Sequence, residues 1–161
     1  MPREKLCYEP GSWFAIPLEG HGFGIGLVAN AGTQGKVIQI YLFGRAYNHM
    51  PTANETKNLT PEEAIWRPRV SDLGLVTGKW KVLGKHDEWR RADWAMPTYI
   101  MKDNISRRAV LRTYSPDFPA RMMLETAASV DAVAYEEDGI GGRVFVERKL
   151  LSILTGKKDH G

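Results

Sequence analysis

The residues best suited to chemistry are few and scattered. The 161-residue chain holds four histidines and one cysteine. His21, His49, His86 and His160 are far apart, and no Cys-x-x-Cys or His-Glu-x-x-His spacing brings two metal ligands onto one turn or helix face. One cysteine builds neither a zinc cage nor an internal disulfide. Cys7 reads as a small hydrophobe, not as the thiolate of a Cys-His pair. No serine sits in a nucleophile-elbow motif. We therefore expect no catalytic residue, no metal and no cofactor. Gly20 to Gly26 (GHGFGIG) invites comparison with a phosphate-binding loop. The third position of a dinucleotide fingerprint is Leu27, however, and the Walker Lys-Ser/Thr pair is absent. The chain also continues as a strand where such a loop would open a helix.

Two clusters remain. Trp89, Arg90, Arg91 and Trp94 mix aromatic rings with cations. Such a patch suits single-stranded nucleic acid, with arginines on phosphates and rings stacked on bases. The same residue types anchor protein interfaces, and Asp87, Glu88 and Asp93 dilute the positive charge. The plainest alternative is that both tryptophans cap a core with the arginines in solvent. The second cluster is Glu136, Glu137 and Asp138 before Gly139, an acidic turn that suits a basic partner. Its plain alternative is a solvated turn.

These residues need elements to hold them. Three apolar runs lead the chain: Trp13 to Leu18, Phe23 to Ala29 and Val37 to Phe43, parted by glycine-rich turns. Each is strand length and rich in aromatic or β-branched residues. In the second, Phe23, Ile25 and Leu27 alternate with Gly24 and Gly26, so one face is apolar and the other bare. Repeated glycine inside a strand marks curvature or close approach. The three runs predict a strongly bent meander. Leu6 and Tyr8 are expected to pair at its edge.

Further on, residues 44–59 read as a polar loop. Thr60, Pro61 and Glu63 have helix-start chemistry, with Pro68 limiting that helix to about two turns. Lys79 to Leu83, Tyr99 to Met101 and Ala109 to Tyr114 read as strands, the last two as a hairpin. Residues 122–129 fit helix or strand. Gly142 to Thr155 places Val146, Leu150, Leu151, Ile153 and Leu154 on one helical stripe. Gly156 is its stop, and Lys157 and Lys158 complement its carbonyl end.

The glycine-aromatic blocks carry a resemblance. Gly11 to Gly20 (GSWFAIPLEG), Gly22 to Val28 (GFGIGLV) and Val70 to Gly84 (VSDLGLVTGKWKVLG) are similar to elements of the immunity protein 26 family of bacterial polymorphic toxin systems. The tail from Asp138 to Gly142, with Val146 to Leu150, is compatible. The resemblance spans most of Gly11 to Leu154 and is weakest across residues 46–60 and 116–129. It implies a protein that binds and neutralises a cognate toxin domain by stoichiometric occlusion, without a cofactor and without enzymatic turnover. A small β-barrel module binding nucleic acid is the alternative.

Composition fits this picture. A formal charge of +3 is mild, with a weakly basic middle and an acidic later segment. No run approaches the ~18 apolar residues of a membrane span. The N-terminus lacks a secretory pattern and the cysteine is alone, so a cytoplasmic, reducing compartment is expected. We expect one α+β domain over residues 1–161. It should be mostly antiparallel β, a barrel-like (SH3-like) bent sheet with the C-terminal helix packed on it. The oligomeric state leaves no mark in the sequence.

Overall fold

The computed structural model describes residues 5–156. Lys157, Lys158 and His160 lie outside the described residues. The fold begins with an antiparallel meander, β1 (Ser12–Leu18), β2 (Gly22–Asn30) and β3 (Val37–Tyr47). A helical turn, α1 (Ala53–Thr56), interrupts the segment expected to be loop, and the Glu55 carboxylate accepts the Thr52 N–H at its start. Then follow β4 (Ala64–Trp66), β5 (Arg69–Ser71), the turn α2 (Leu73–Val76) and β6 (Lys81–Lys85). The chain continues through β7 (Tyr99–Asp103), β8 (Arg108–Tyr114), β9 (Met122–Ala128), β10 (Glu136–Glu137) and β11 (Ile140–Gly141). It ends in α3 (Arg143–Thr155).

These strands make two sheets. The first runs β11-β5-β3-β2-β1-β6, with β4 also on β3; the second runs β10-β7-β8-β9. The α+β class holds, with mostly antiparallel pairing and α3 packed on the first sheet. That sheet is not closed, because its outer strands β11 and β6 do not pair with each other. "Barrel-like" therefore describes its irregular, bulged ladders and not a ring.

The meander is apolar on both faces because both faces are covered. Phe14, Ile16, Val28, Ile40 and Leu42 pack with Trp80 and with Val146 and Leu150 of α3. On the opposite face Trp13, Ile25, Leu27, Tyr41 and Phe43 pack with Leu59 and Trp94. Each such side chain contributes about 1.5–3 kcal/mol through burial. The glycines of β2 supply room for this double cover. A Cβ on Gly24 would come within 2.8 Å of the Leu150 methyl, and one on Gly26 would overlap the Phe14 ring and approach Leu42 to 2.9 Å. The bare face of β2 is thus a seat for neighbouring side chains.

Three local expectations change, and one open alternative closes. The Thr60 signal starts only a single 3-10 turn, Pro61–Glu63, despite the Glu63 carboxylate accepting the Thr60 N–H at 2.7 Å. The next residues pair with β3, Leu42 against Trp66, and that pairing outweighs local helix chemistry. Tyr8 is not a strand residue; it is buried and donates its hydroxyl to Asp72 at 2.8 Å. Residues 122–128 form a strand against β8. On α3, Val146 and Leu150 are fully buried, whereas Ile153 faces solvent. Gly156 ends the helix in the left-handed region, φ +70°.

Candidate functional site

The Trp89–Trp94 segment is divided by its own burial. Trp94 is 2% exposed and meets Tyr41 edge-on at 5.0 Å, with Trp13, Phe43 and Trp89 around it. Its carbonyl accepts from the Asn30 amide at 3.2 Å, and the next carbonyl, of Ala95, accepts the Tyr41 hydroxyl at 2.7 Å. Trp94 is therefore a core residue that closes one face of the first sheet. Trp89 is half-buried over Gly11. Arg90 and Arg91 reach solvent, and each holds a carboxylate, Asp93 at 3.2 Å and Asp117 at 2.9 Å. What this segment offers a partner is two already paired arginines and one edge of an indole.

The acidic triplet is not a uniform turn. Glu136 and Glu137 form β10, parallel to Tyr99 and Ile100 of β7. The next residues form β11 on β5, in the first sheet. Asp138 marks the crossing from one sheet to the other, and its side chain is 1% exposed. It accepts from Arg69 at 2.7 Å, from Arg112 at 3.0 Å and from the Tyr114 hydroxyl at 2.6 Å. Arg69 belongs to the first sheet, whereas Arg112 and Tyr114 belong to the second. Arg69 also donates to the Pro119 carbonyl and lies 3.4 Å over the Tyr114 ring, and Arg112 extends the chain to Glu125 of β9 at 2.7 Å. Asp138 is thus a buried clasp and not part of a solvent-facing acidic patch.

The electrostatics follow from that geometry. Burial alone pushes the Asp138 carboxyl up, but donors from Tyr114, Arg69 and Arg112 outweigh it and hold the group below its ordinary range. Glu136 behaves oppositely: burial pushes it up, against a smaller pull from Arg67. Glu137 is the exposed member and faces Lys149 of α3 at 3.7 Å. Beside it lies a cleft of about 320 Å³ lined by Trp66, Arg69, Asp138, Ile140, Phe145 and Lys149. Lys149 sits 5.2 Å over the Trp66 ring.

The second sheet presents a different surface. β9 is its outer strand, and Met122, Met123 and Leu124 are 49, 63 and 57% exposed. Three consecutive apolar residues in a strand place side chains on both faces, and among the described residues nothing covers either face. Among the described residues, no three His, Cys, Asp or Glu side chains gather as metal ligands. No helix among them is long and apolar enough to cross a membrane.

The family model described as Immunity protein 26 matches residues 9–111, about two thirds of the chain. The chain belongs to the immunity protein 26 family. No curated protein and no solved structure matches it. The immunity protein 26 match takes in β1 to β7 and the first residues of β8, and so the whole first sheet except β11. Arg69 of the clasp lies inside that span; Arg112, Asp138, β9 and α3 lie beyond it.

Sequence reasoning named Asp138 as part of an acidic turn for a basic partner; it missed the buried clasp and the partners Arg69, Arg112 and Tyr114. The available signal was Arg112 and Tyr114 on one face of a half-apolar strand, where an inward arginine demands a carboxylate. Met122 to Leu124 carried a second signal, because an apolar triplet in a strand cannot be buried on one face alone.

Proposed function

We propose that this immunity protein 26 family member neutralises a cognate toxin effector by forming a stoichiometric complex that covers the toxin's active site or an adjacent exosite. The family match over residues 9–111 carries the reading. Its mode is binding without turnover, in the bacterial cytoplasm, where Cys7 stays reduced. A first sheet packed on both faces supports a preformed surface that docks with little backbone change. The pairing of Arg90 and Arg91 with Asp93 and Asp117 argues against a phosphate-binding patch at that segment.

The test is size-exclusion chromatography in 0.15 M salt. The protein is run with the toxin domain encoded by the adjacent reading frame, and separately with mixed oligonucleotides. Co-elution with toxin at a 1:1 ratio is expected, through roughly 800 Å² per partner. Co-elution with oligonucleotide and not with toxin would replace this reading by nucleic-acid binding.

A further inference from the structure

Among the described residues the outer edge of β9 is free. β9 is terminal in the order β10-β7-β8-β9, and among the described residues no strand pairs with its outer side. Every second N–H and C=O along it therefore points away from the sheet. Natural edge strands usually carry a lysine, a proline or an inward charge that blocks further pairing. β9, with sequence MMLETAA, has neither proline nor lysine. Its one charge, Glu125, is drawn back onto Arg112 at 2.7 Å. The only irregularity lies at the start, where Thr113 pairs with Leu124 and Tyr114 with Met122; Leu124 to Ala128 run in unbroken register.

The charges around this edge select its occupant. Arg121 precedes β9, and Arg108, beside Arg107, neighbours its end through the pairing of Ala109 with Ala128. Lys102 follows one strand further in, opposite Ala109. None of these four cations has a carboxylate within ion-pair distance among the described residues; Arg121 rests only on the Phe118 ring, at 5.3 Å. Of the carboxylates near them, Asp103, opposite Arg108, is turned back onto the N–H groups of Ile105 and Ser106, and Glu137, which lines a pocket with Lys102, faces Lys149. The edge is thus apolar in its first half and basic at both ends. A second copy fits it poorly, since antiparallel self-pairing would bring Arg121 of one chain to the end of β9 that Arg107 and Arg108 of the other adjoin, drawing like charges together.

Resting on the immunity reading above, we propose that β9 is the toxin-docking edge. It takes an extended toxin segment as a fifth strand, one whose apolar residues are flanked by Asp or Glu. Backbone hydrogen bonds supply the affinity of such an added strand, and alternate side chains with end charges supply its specificity. Met122, Met123 and Leu124 are the apolar contacts, and Met adapts readily to a partner's shape.

Hydrogen exchange on the full chain, alone and with the adjacent-frame toxin domain, tests this. Alternate amides within residues 122–128 are expected to slow roughly tenfold or more on complex formation. Proline is then placed singly at Thr126 and at Ala127. One substitution removes an outward N–H, and that variant should keep its unfolding midpoint yet lose affinity about tenfold, the effect of one unmade donor at an interface. The other breaks the ladder to β8 and serves as the folding control. Reversing Arg108 and Arg121 to Glu should slow association at low salt. A complex that leaves the β9 amides unprotected would overturn the docking edge and leave the immunity function standing. Failure of the toxin to bind at all would sink both. Protection of β9 in the protein alone, rising with its concentration, would show a second copy as the occupant and reject the proposal.

Discussion

The two sheets of this protein use their apolar strand residues to opposite ends. In the first, consecutive residues such as Trp13 and Phe14 are both buried, because α3 with Trp80 covers one face and Trp94 with Leu59 the other. In the second, the outermost strand leaves Met122, Met123 and Leu124 in solvent. Apolar residues are abundant in both. The difference is cover, and it separates residues that hold the fold from residues that can meet a partner. The two regions touch at Asp138, where a single carboxylate takes donors from each.

The largest expected effect breaks that junction. Asp138→Ala leaves Arg69 buried without its carboxylate and should lower stability by about 3–5 kcal/mol, read as a shift in urea midpoint. If the midpoint is unchanged, the clasp does not join the sheets. The sign with pH is fixed by the lowered Asp138 carboxyl. Its stabilisation is fully present above the ordinary aspartate pKa of about 3.9 and is lost as pH falls through the lower folded value. Asp138→Asn should therefore narrow the gap in stability between pH 6 and pH 3, which acid unfolding curves would reveal.

Next comes the first sheet alone. Gly26→Val drives a branched side chain into the Phe14 ring and should cost about 1–3 kcal/mol. Gly24→Val should cost less, since the atom it meets is the end of the flexible Leu150 side chain. Equal midpoints for both variants and the parent would mean that β2 is not seated against its neighbours.

The second sheet should respond in the opposite way. Met123→Ser with Leu124→Ser removes apolar surface that the fold does not cover, so stability should stay within about 0.5 kcal/mol while toxin affinity falls. Calorimetry with the toxin domain separates these outcomes. A large loss of stability with unchanged affinity would reverse the roles assigned to the two sheets. The smallest effect is expected at Glu136. Burial raises its carboxyl, so its ionisation opposes folding as pH rises through that folded value. Glu136→Gln should raise stability slightly at pH 7 and not at pH 4, as paired thermal melts would show.

The fold was legible where local chemistry and packing agreed. The meander, the β7–β8 hairpin and the last helix follow from periodicity and punctuation, and the glycines of β2 announced a close approach. The helix expected after Thr60 failed because β3 recruits Ala64 to Trp66 into its ladder, a long-range pairing that capping residues do not record. At the candidate sites, sequence neighbourhood and spatial neighbourhood differ. Trp94 stands among charges in sequence but faces Trp13 and Tyr41 in space. Asp138 follows two glutamates in sequence, but its companions are arginines from two distant strands. The exposed triplet of β9 was hidden by doubt over helix or strand, since only a strand puts Met123 and Leu124 on opposite faces.

Stoichiometric neutralisation is tested most directly by titrating the adjacent-frame toxin domain, at fixed concentration, with this protein while toxin activity is followed. The account predicts a linear fall to zero at one equivalent, with full activity returning when the complex is dissociated. Complete inactivation by a small fraction of an equivalent, persisting after separation, would mean turnover and contradict it.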